Sequence, residues 1–220
     1  MNLRTHCSKR RTAMKLVLAT HNPNKIREMT EILAKSASEI GEFEILTLDA
    51  LGVPDDVEET GSTFEENALI KARVGASLGY LSVADDSGLE VDALGGEPGV
   101  YSARYSGEHG DDEANNRLVL ERLSGVPSEK RSARFVAAIA CVFPDGRSFT
   151  VRGTVEGRIL EAPEGNNGFG YDPIFYSNEA ASSFGTYPPE EKNKISHRAR
   201  ALRLFCDRLC DYLGEKNVNE

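Results

Sequence analysis

Two pairs of neighbouring carboxylates offer the first chemistry in this sequence. Glu58-Glu59 comes just before a predicted helix, and Asp85-Asp86 follows about a helix length later. Two acidic clusters that converge in space form a seat for a hard cation such as Mg²⁺, which takes oxygen ligands. Acidic pairs are more often solvated surface than metal ligands, so their positions in the fold have to separate the two interpretations.

The second pair follows a predicted strand. Residues 81–84 are a short apolar run, and we expect this strand to deliver residues 85–88 at its carboxyl end. Ligand sites of α/β sheets lie at such ends, which favours a cleft shared by the two acidic pairs. Asp85 and Asp86 project to opposite sides of an extended chain, so at most one of them should face the cleft directly.

The first pair leads into a helix start. Ser62 is a good N-cap residue, and Glu65 three residues later completes a capping box for a helix over residues 63–78. Glu65 and Glu66 are accounted for as acids that the helix dipole favours in a first turn. These two acids therefore need no function to explain them.

A polar turn between the first predicted strand and helix is suited to phosphate. Residues 15–20 predict a buried strand, and Lys25 to Lys35 has helical periodicity. A helix start offers free N–H groups and positive potential, and Lys25 adds a mobile cation. The alternative is an ordinary connection with a solvated lysine, and spacing alone does not separate the two. The candidate phosphate-binding residues are Thr20, His21, Asn22, Pro23, Asn24 and Lys25.

Two later segments suit a flat heterocycle. The loop 168–172 joins flexible glycines to an aromatic ring and a carboxylate, so it can stack a base and bond its edge. The alternative is an ordinary turn with a core aromatic. Ser196 caps the final helix, where His197 and Arg198 are either solvated or donors at the rim of a pocket. No serine nucleophile is indicated, because the histidines lack a Ser and Asp arrangement.

Length and composition indicate a globular domain with an α/β fold. The 220 residues suffice for one large domain or two lobes sharing a sheet, and residues 135–143 and 148–155 predict a β-hairpin. The net charge of −9 disfavours a nucleic-acid partner, and the sequence has no apolar run of about 20 residues for a membrane span. Four scattered cysteines favour a reduced, cytoplasmic protein. Residues 1–13 are interpreted as a disordered tail or an upstream start before Met14, and residues 214–220 as a second tail.

Six motifs occur in one order along residues 14–213, and together they are very specific. On these motifs the chain closely resembles the inosine triphosphate pyrophosphatase family, also called Ham1-like. His21 and Pro23 vary the first turn, and residues 1–13 lie outside the resemblance. The motifs are Thr20-x-Asn22-x-x-Lys25, 58–68 (EETGSTFEENA), 84–89 (ADDSGL), 98–105 (PGVYSARY), 168–175 (GFGYDPIF) and Ser196-His197-Arg198.

The resemblance implies a fold and an activity. The fold is an elongated α/β structure, a long, twisted, mixed sheet with flanking helices that form two lobes around a central cleft, within a single catalytic domain over residues 14–213. The family is typically homodimeric and depends on Mg²⁺. Its members hydrolyse ITP, dITP and XTP to the monophosphate and pyrophosphate, which keeps deaminated purines out of nucleic acids.

The resemblance also implies roles for individual residues. Thr20, Asn22 and Lys25 would bind the triphosphate, and Lys71 would face the phosphates. Glu59 and Asp86 would hold Mg²⁺, and Asp86 would also be the catalytic residue that accepts a proton from water. The other residues that would bind the substrate are Ser87, Phe169, Gly170, Tyr171, Asp172, Lys192, His197 and Arg198.

Base selection and two other functions stay open in the sequence. A 6-oxo group accepts hydrogen bonds, so donors from His197 and Arg198 would favour it over the 6-amino group of adenine. Rejection of guanine must depend on its 2-amino group. The alternative enzyme is a pyrophosphatase that acts on another altered nucleotide, such as a modified pyrimidine nucleotide, as the structurally similar Maf-like proteins do. The alternative outside enzymes is a nucleotide-binding regulator without turnover, against which the intact Lys25, Glu59 and Asp86 argue.

Overall fold

A computed structural model describes residues 14–36, 43–54 and 57–216, with side chains as far as Leu213. The predicted tail at 1–13 lies outside these residues, as do residues 217–220, whereas 214–216 continue the last helix. The helices of the described part are α1 (Pro23–Lys35), α2 (Phe64–Ser77), α3 (Asp112–Arg122), α4 (Pro189–Ile195) and α5 (His197–Lys216). Its strands are β1 (Met14–Leu18), β2 (Phe43–Thr47), β3 (Leu81–Val91), β4 (Ser132–Val142), β5 (Ser148–Ile159), β6 (Phe175–Ser177) and β7 (Ser182–Ser183).

The described strands form one mixed sheet in the order β2-β1-β3-β4-β5-β6-β7. β1 pairs in parallel with β2 and β3, and every later pairing is antiparallel. At a rise of about 3.3 Å per residue, the three central strands are each about 35 Å long or more, so the sheet is extended. The predicted α/β class with a long mixed sheet and flanking helices is confirmed.

Alternation along the strands divides the core between the two faces of the sheet. Leu16 and Leu18 of β1 pack with α1 and α5 on one face, and Val17 packs with α2 on the other. A third cluster covers the far part of the sheet, where Val119 of α3 and Phe184 are buried. None of the helices in the described part is long and apolar enough to cross a membrane.

The second acidic pair lies inside a strand, which corrects the prediction from sequence. β3 is continuous from Leu81 to Val91, and Asp85 and Asp86 pair with Ile139 and Ala138 of β4. The polar and glycine residues at 85–88 lack an apolar signal, but the ladder to β4 holds them extended. The carboxyl end near the acids belongs instead to β1, whose Leu18 pairs with Val83.

The cap of α2 is one residue later than predicted. Thr63 is extended, and its hydroxyl accepts a hydrogen bond from the Glu66 amide at 3.1 Å. The Glu66 carboxylate accepts in turn from the amide of Ser62 at 2.7 Å and from its hydroxyl at 2.8 Å. The prediction of Ser62 as cap and Glu65 as its partner is therefore wrong by one position. The motif offered two adjacent hydroxyl residues and two adjacent acids, which left this register open.

Replacing the cap tests this assignment. Thr63→Ala should lower the free energy of unfolding by about 1 kcal/mol, because the Glu66 amide loses its acceptor. Ser62→Ala removes only an exposed side-chain contact and should change stability by less than about 0.5 kcal/mol. Urea unfolding of both variants makes the comparison. A larger loss in Ser62→Ala would contradict the assignment.

Candidate active site

A cavity of ≈ 480 Å³ brings together the residues that the sequence singled out. It is bordered by the end of β1, the start of α1, the middle of β3, the loop 169–172 and the start of α5. Asn24 is the predicted residue that does not line it; its side-chain Oδ1 accepts a hydrogen bond from Arg27 at 3.2 Å instead. Those that line it are Thr20, His21, Asn22, Pro23, Lys25, Glu59, Lys71, Asp86, Ser87, Phe169, Gly170, Tyr171, Asp172, Lys192, His197 and Arg198. Their roles stay predictions.

The turn after β1 is held by its own side chains. Asn22 is the N-cap of α1, and its Oδ1 accepts from the amides of Asn24 at 3.0 Å and Lys25 at 3.2 Å. The amide of Asn22 itself donates to the Thr20 hydroxyl at 3.2 Å. Lys25 was expected to be a mobile cation, but its side chain is mostly buried and its Nζ lies 2.8 Å from Oδ1 of Asp85. The turn thus presents a fixed cation to the cavity.

Glu59 and Asp86 converge on a single ammonium group. Nζ of Lys71 lies 2.6 Å from Oδ1 of Asp86 and 2.9 Å from Oε1 of Glu59. The other oxygen of Glu59 accepts from Arg104 at 2.8 Å. Asn67 approaches the second oxygen of Asp86 at 3.4 Å. Glu59 and Asp86, which are distant in the sequence, therefore lie side by side in the cavity wall. Glu58 is exposed and does not line the cavity.

The two acids differ in their proton affinity. Burial raises the pKa of Asp86 above its ordinary value, against the opposing charge of Lys71. Burial acts in the same direction on Glu59, but Lys71 and Arg104 outweigh it and hold the pKa of Glu59 at about 2. A carboxylate with a raised pKa is the better proton acceptor. Asp86 is the acid of the pair suited to take a proton, and Glu59 is the one suited to stay charged.

The same pair fits a magnesium ion. In the described ranges no cluster of three or more His, Cys, Asp and Glu side chains is arranged to hold a metal. Mg²⁺ is commonly bound by one or two carboxylates, with water and substrate phosphates completing its six oxygen ligands. Carboxylates of Glu59 and Asp86 that converge on one cation, Lys71, are a donor set of this kind.

Asp85 lies in a largely buried network on the other face of β3, and the Lys25, Ser87 and Arg198 side chains of this network also line the cavity. Arg198 donates to both oxygens of Asp85, from Nε at 3.1 Å and from Nη2 at 3.2 Å. Arg198 also pairs with Glu28 of α1 and donates to the Ser87 hydroxyl at 2.9 Å. Since Asp85 is 0% and Arg198 1% exposed, the interpretation of Arg198 as a solvated residue is wrong. Most of its donors are committed within the protein.

The loop 168–172 places its two aromatic residues in different surroundings. Both line the cavity, but Tyr171 is buried in the core, as the ordinary-turn interpretation expected, whereas Phe169 is only half-buried. Nζ of Lys192 lies 5.1 Å from the Phe169 ring centre and 2.5 Å from Oδ2 of Asp172. The same Asp172 oxygen accepts from the Phe169 amide at 2.9 Å. Phe169 therefore presents a ring to the cavity from an anchored backbone.

His197 is a buried, neutral imidazole in the cavity wall. Burial, reinforced by the charges of Arg198 and Lys192, holds its pKa well below the ordinary value. Its ring stacks on Phe135 with centres 4.9 Å apart and 14° between the planes. Its Nδ1 is buried without a hydrogen-bond partner in the structure. A neutral ring offers one donor and one acceptor, so His197 can read a polar edge.

Arg104, which lines the cavity, and Glu28, which pairs with Arg198 behind it, are charged residues without a predicted role. Arg104 lies in a motif that carries the resemblance, and its contact to Glu59 was the missing information. Glu28 follows Lys25 by three residues, which places both on one side of α1. That spacing was the available signal, but an acid on a helix is ordinarily solvated.

Glu28 allows a test of the buried network. Burial raises the pKa of Glu28, but Arg198 and Lys192 outweigh burial and lower it overall. Its stabilisation should therefore be complete above about pH 4.3, the ordinary value of an unfolded Glu, and should be lost as the pH falls below that. Glu28→Gln should cost about 3 kcal/mol at pH 7, since it leaves buried cations underpaired, and much less at pH 3.

Urea unfolding at both pH values measures this difference. Glu113→Gln is the matched control, because the Glu113 side chain is 92% exposed and should change stability by less than about 0.5 kcal/mol. An equal loss in Glu28→Gln at pH 7 and pH 3 would show that the charge of Glu28 does not stabilise the fold.

Comparison with known proteins assigns the chain to a family. The model of the Ham1 family matches residues 16–208. A dITP/XTP pyrophosphatase of Bacillus subtilis (strain 168) is 48% identical over 188 residues, 85% of this chain and 92% of that protein. One of Geobacter sulfurreducens is 49% identical over 196 residues, 89% of this chain and 96% of that protein.

Solved structures agree with the sequence comparison. The Staphylococcus aureus Ham1 protein superposes with a TM-score of 0.79 at 41% identity, over 90% of this chain and 99% of that one. A nucleoside-triphosphatase, dITP/XTP pyrophosphatase, from Mycobacterium abscessus gives 0.71 at 47% identity, over 87% and 98%. This chain belongs to the Ham1 family.

Proposed function

We propose that this protein hydrolyses dITP, XTP and ITP to the nucleoside monophosphate and pyrophosphate. The observation that carries the proposal is one cavity holding both a carboxylate pair with lysines and an aromatic ring beside a neutral histidine. The first group suits a triphosphate, and the second suits a base. The similarity to enzymes named dITP/XTP pyrophosphatases supports the same substrates.

Release of pyrophosphate requires water to attack the α-phosphorus. Asp86 is the group to take the proton from that water, because burial raises its pKa. Lys71 and Lys25 are placed to offset the charge that develops on the phosphates, since each lines the cavity beside an acid of β3. Arg104 and Lys71 hold Glu59 in position.

Glu59 and Asp86 would hold Mg²⁺. When bound, the ion would neutralise phosphate charge and stabilise the leaving pyrophosphate. The proposal that Mg²⁺ is the cofactor is supported by the oxygen donors and by their convergence on one cation. The homodimer that the resemblance implies and the cytoplasmic location that the scattered cysteines favour stay predictions.

Base selection rests on hydrogen-bond pattern. A neutral His197 can donate to the 6-oxo group of hypoxanthine or xanthine while Phe169 stacks on the ring. Adenine carries an amino group at that position, which would leave a buried donor unpaired. A buried polar group left without its partner is a strong basis for rejection, often 10⁴-fold or more in order of magnitude.

The products of ITP test the reaction. With Mg²⁺, anion-exchange analysis should show IMP and pyrophosphate, with ITP and XTP cleaved much faster than ATP or GTP. Chelation of the metal by EDTA should stop product formation. Appearance of IDP with single phosphate would exclude attack at the α-phosphorus, and fastest cleavage of a modified pyrimidine triphosphate would favour the alternative enzyme.

Asp86→Asn tests the proton acceptor. The amide cannot take a proton from water, so kcat for ITP should fall by roughly 10³-fold or more, while circular dichroism stays unchanged. Glu65→Gln is the control: this acid lies on α2 and pairs with Arg152 outside the cavity, so activity should persist. Activity of Asp86→Asn within a few-fold of the unaltered protein would remove Asp86 from this role.

A further inference from the structure

Hydrogen bonds fix the backbone on both sides of Phe169. Before the ring, the Phe169 amide donates to Asp172 at 2.9 Å. After the ring, the amide of Gly170 donates to Oδ2 of Asp112 at 2.6 Å, and the Gly170 carbonyl accepts from Nδ2 of Asn116 at 3.0 Å. Gly170 has φ +60°, a left-handed conformation that favours glycine. Three successive peptide groups, 168–169, 169–170 and 170–171, are thus held in one turn by hydrogen bonds.

Both contacts to Gly170 come from one face of α3. Asp112 and Asn116 are four residues apart, which is about one helical turn. Asn116 is only 8% exposed, and its Oδ1 is buried without a hydrogen-bond partner. An unpaired buried amide oxygen destabilises the fold, so an apolar side chain would serve packing better here. What an apolar side chain could not provide is the hydrogen bond from Nδ2 of Asn116 to the Gly170 carbonyl.

The same helix also holds the segment that carries Arg104. Oδ1 of Asn115 accepts from the Ser106 amide at 2.8 Å, and its Nδ2 donates to the Ala103 carbonyl at 3.4 Å. The Tyr171 hydroxyl then donates to the Ser102 carbonyl at 2.8 Å and links the two segments directly. Neighbouring side chains of α3 therefore hold two walls of the cavity in a fixed relation.

We propose that Asp112 and Asn116 are positioning residues that fix the Phe169 ring for stacking on the substrate base. The proposal rests on the proposed function and adds a base-binding role to a helix outside the recognised motifs. Stacking contributes equally to the bound substrate and to the transition state. Loss of the clamp should therefore raise KM and leave kcat almost unchanged.

Isosteric exchanges give the sharpest test. Asn116→Asp replaces the donor with an acceptor that faces the Gly170 carbonyl, and KM for ITP should rise about 5- to 10-fold, with kcat within about 2-fold. Asp112→Ala should act in the same direction. Asp112→Asn keeps an oxygen for the Gly170 amide and should restore KM to near the original value. Arg117→Ala, on the exposed side of α3 with 62% of its side chain accessible, is the control and should change neither constant.

Two further measurements separate positioning from general damage. Amide hydrogen exchange over residues 166–172, read without substrate, should be faster in Asn116→Asp and unchanged in Arg117→Ala. In a protein that already carries Phe169→Ala, the Asn116→Asp substitution should raise KM little further, because both substitutions act through the same ring. The proposal would be overturned if amide hydrogen exchange in Asn116→Asp were unchanged, or if the effects of the two substitutions on KM simply multiplied. Failure of the unaltered protein to cleave ITP would instead overturn the proposed function, since the exchange experiment needs no substrate.

Discussion

The structure depends on two adjacent carboxylates that a strand sends to opposite faces of the sheet. A buried carboxylate needs a counter-charge, because desolvation of an unpaired charge costs several kcal/mol in order of magnitude. Asp85 meets Lys25 of α1 and Arg198 of α5, and Asp86 meets Lys71 of α2. One dipeptide in β3 thereby connects the helices of both faces to the centre of the sheet. The cavity lies where these connections converge.

The two faces of β3 serve different ends because their charges are balanced differently. Asp85 has both oxygens bonded by a buried guanidinium, and its pKa is held far below the ordinary value by Arg198 and Lys25 despite burial. Its charge is fixed and cannot take part in proton transfer. Asp86 shares one lysine with a second acid, and its pKa is raised above the ordinary value by burial and, to a smaller extent, by the charge of Glu59. The proposed proton acceptor is therefore the second residue of the pair, Asp86, whereas the first, Asp85, stabilises the fold.

Local patterns and the family resemblance together predicted the residues of the site, and long-range partners determined their surroundings. The alternation of side chains along a strand predicted that Asp85 and Asp86 point apart. One of the two interpretations of the glycine-rich loop predicted an aromatic ring at the cavity. The continuity of β3 was missed, since its polar middle is stabilised by a ladder to β4 and by Arg198, 113 positions away. Glu28 was missed for the same reason. A buried acid is recognisable only once its cations are in place.

The hydrogen bonds that Arg198 already makes within the protein limit its capacity to bind a substrate base. Its guanidinium already binds Asp85, Glu28 and Ser87, so few of its N–H groups remain for a substrate edge. His197 is next to it in the chain, is neutral because burial lowers its pKa, and leaves Nδ1 unpaired. A neutral ring distinguishes an oxygen from an amino group by hydrogen-bond direction and not by charge. We therefore propose that Arg198 stabilises the frame of the cavity and that His197 selects the base, while the Phe169 ring is placed to stack on any purine.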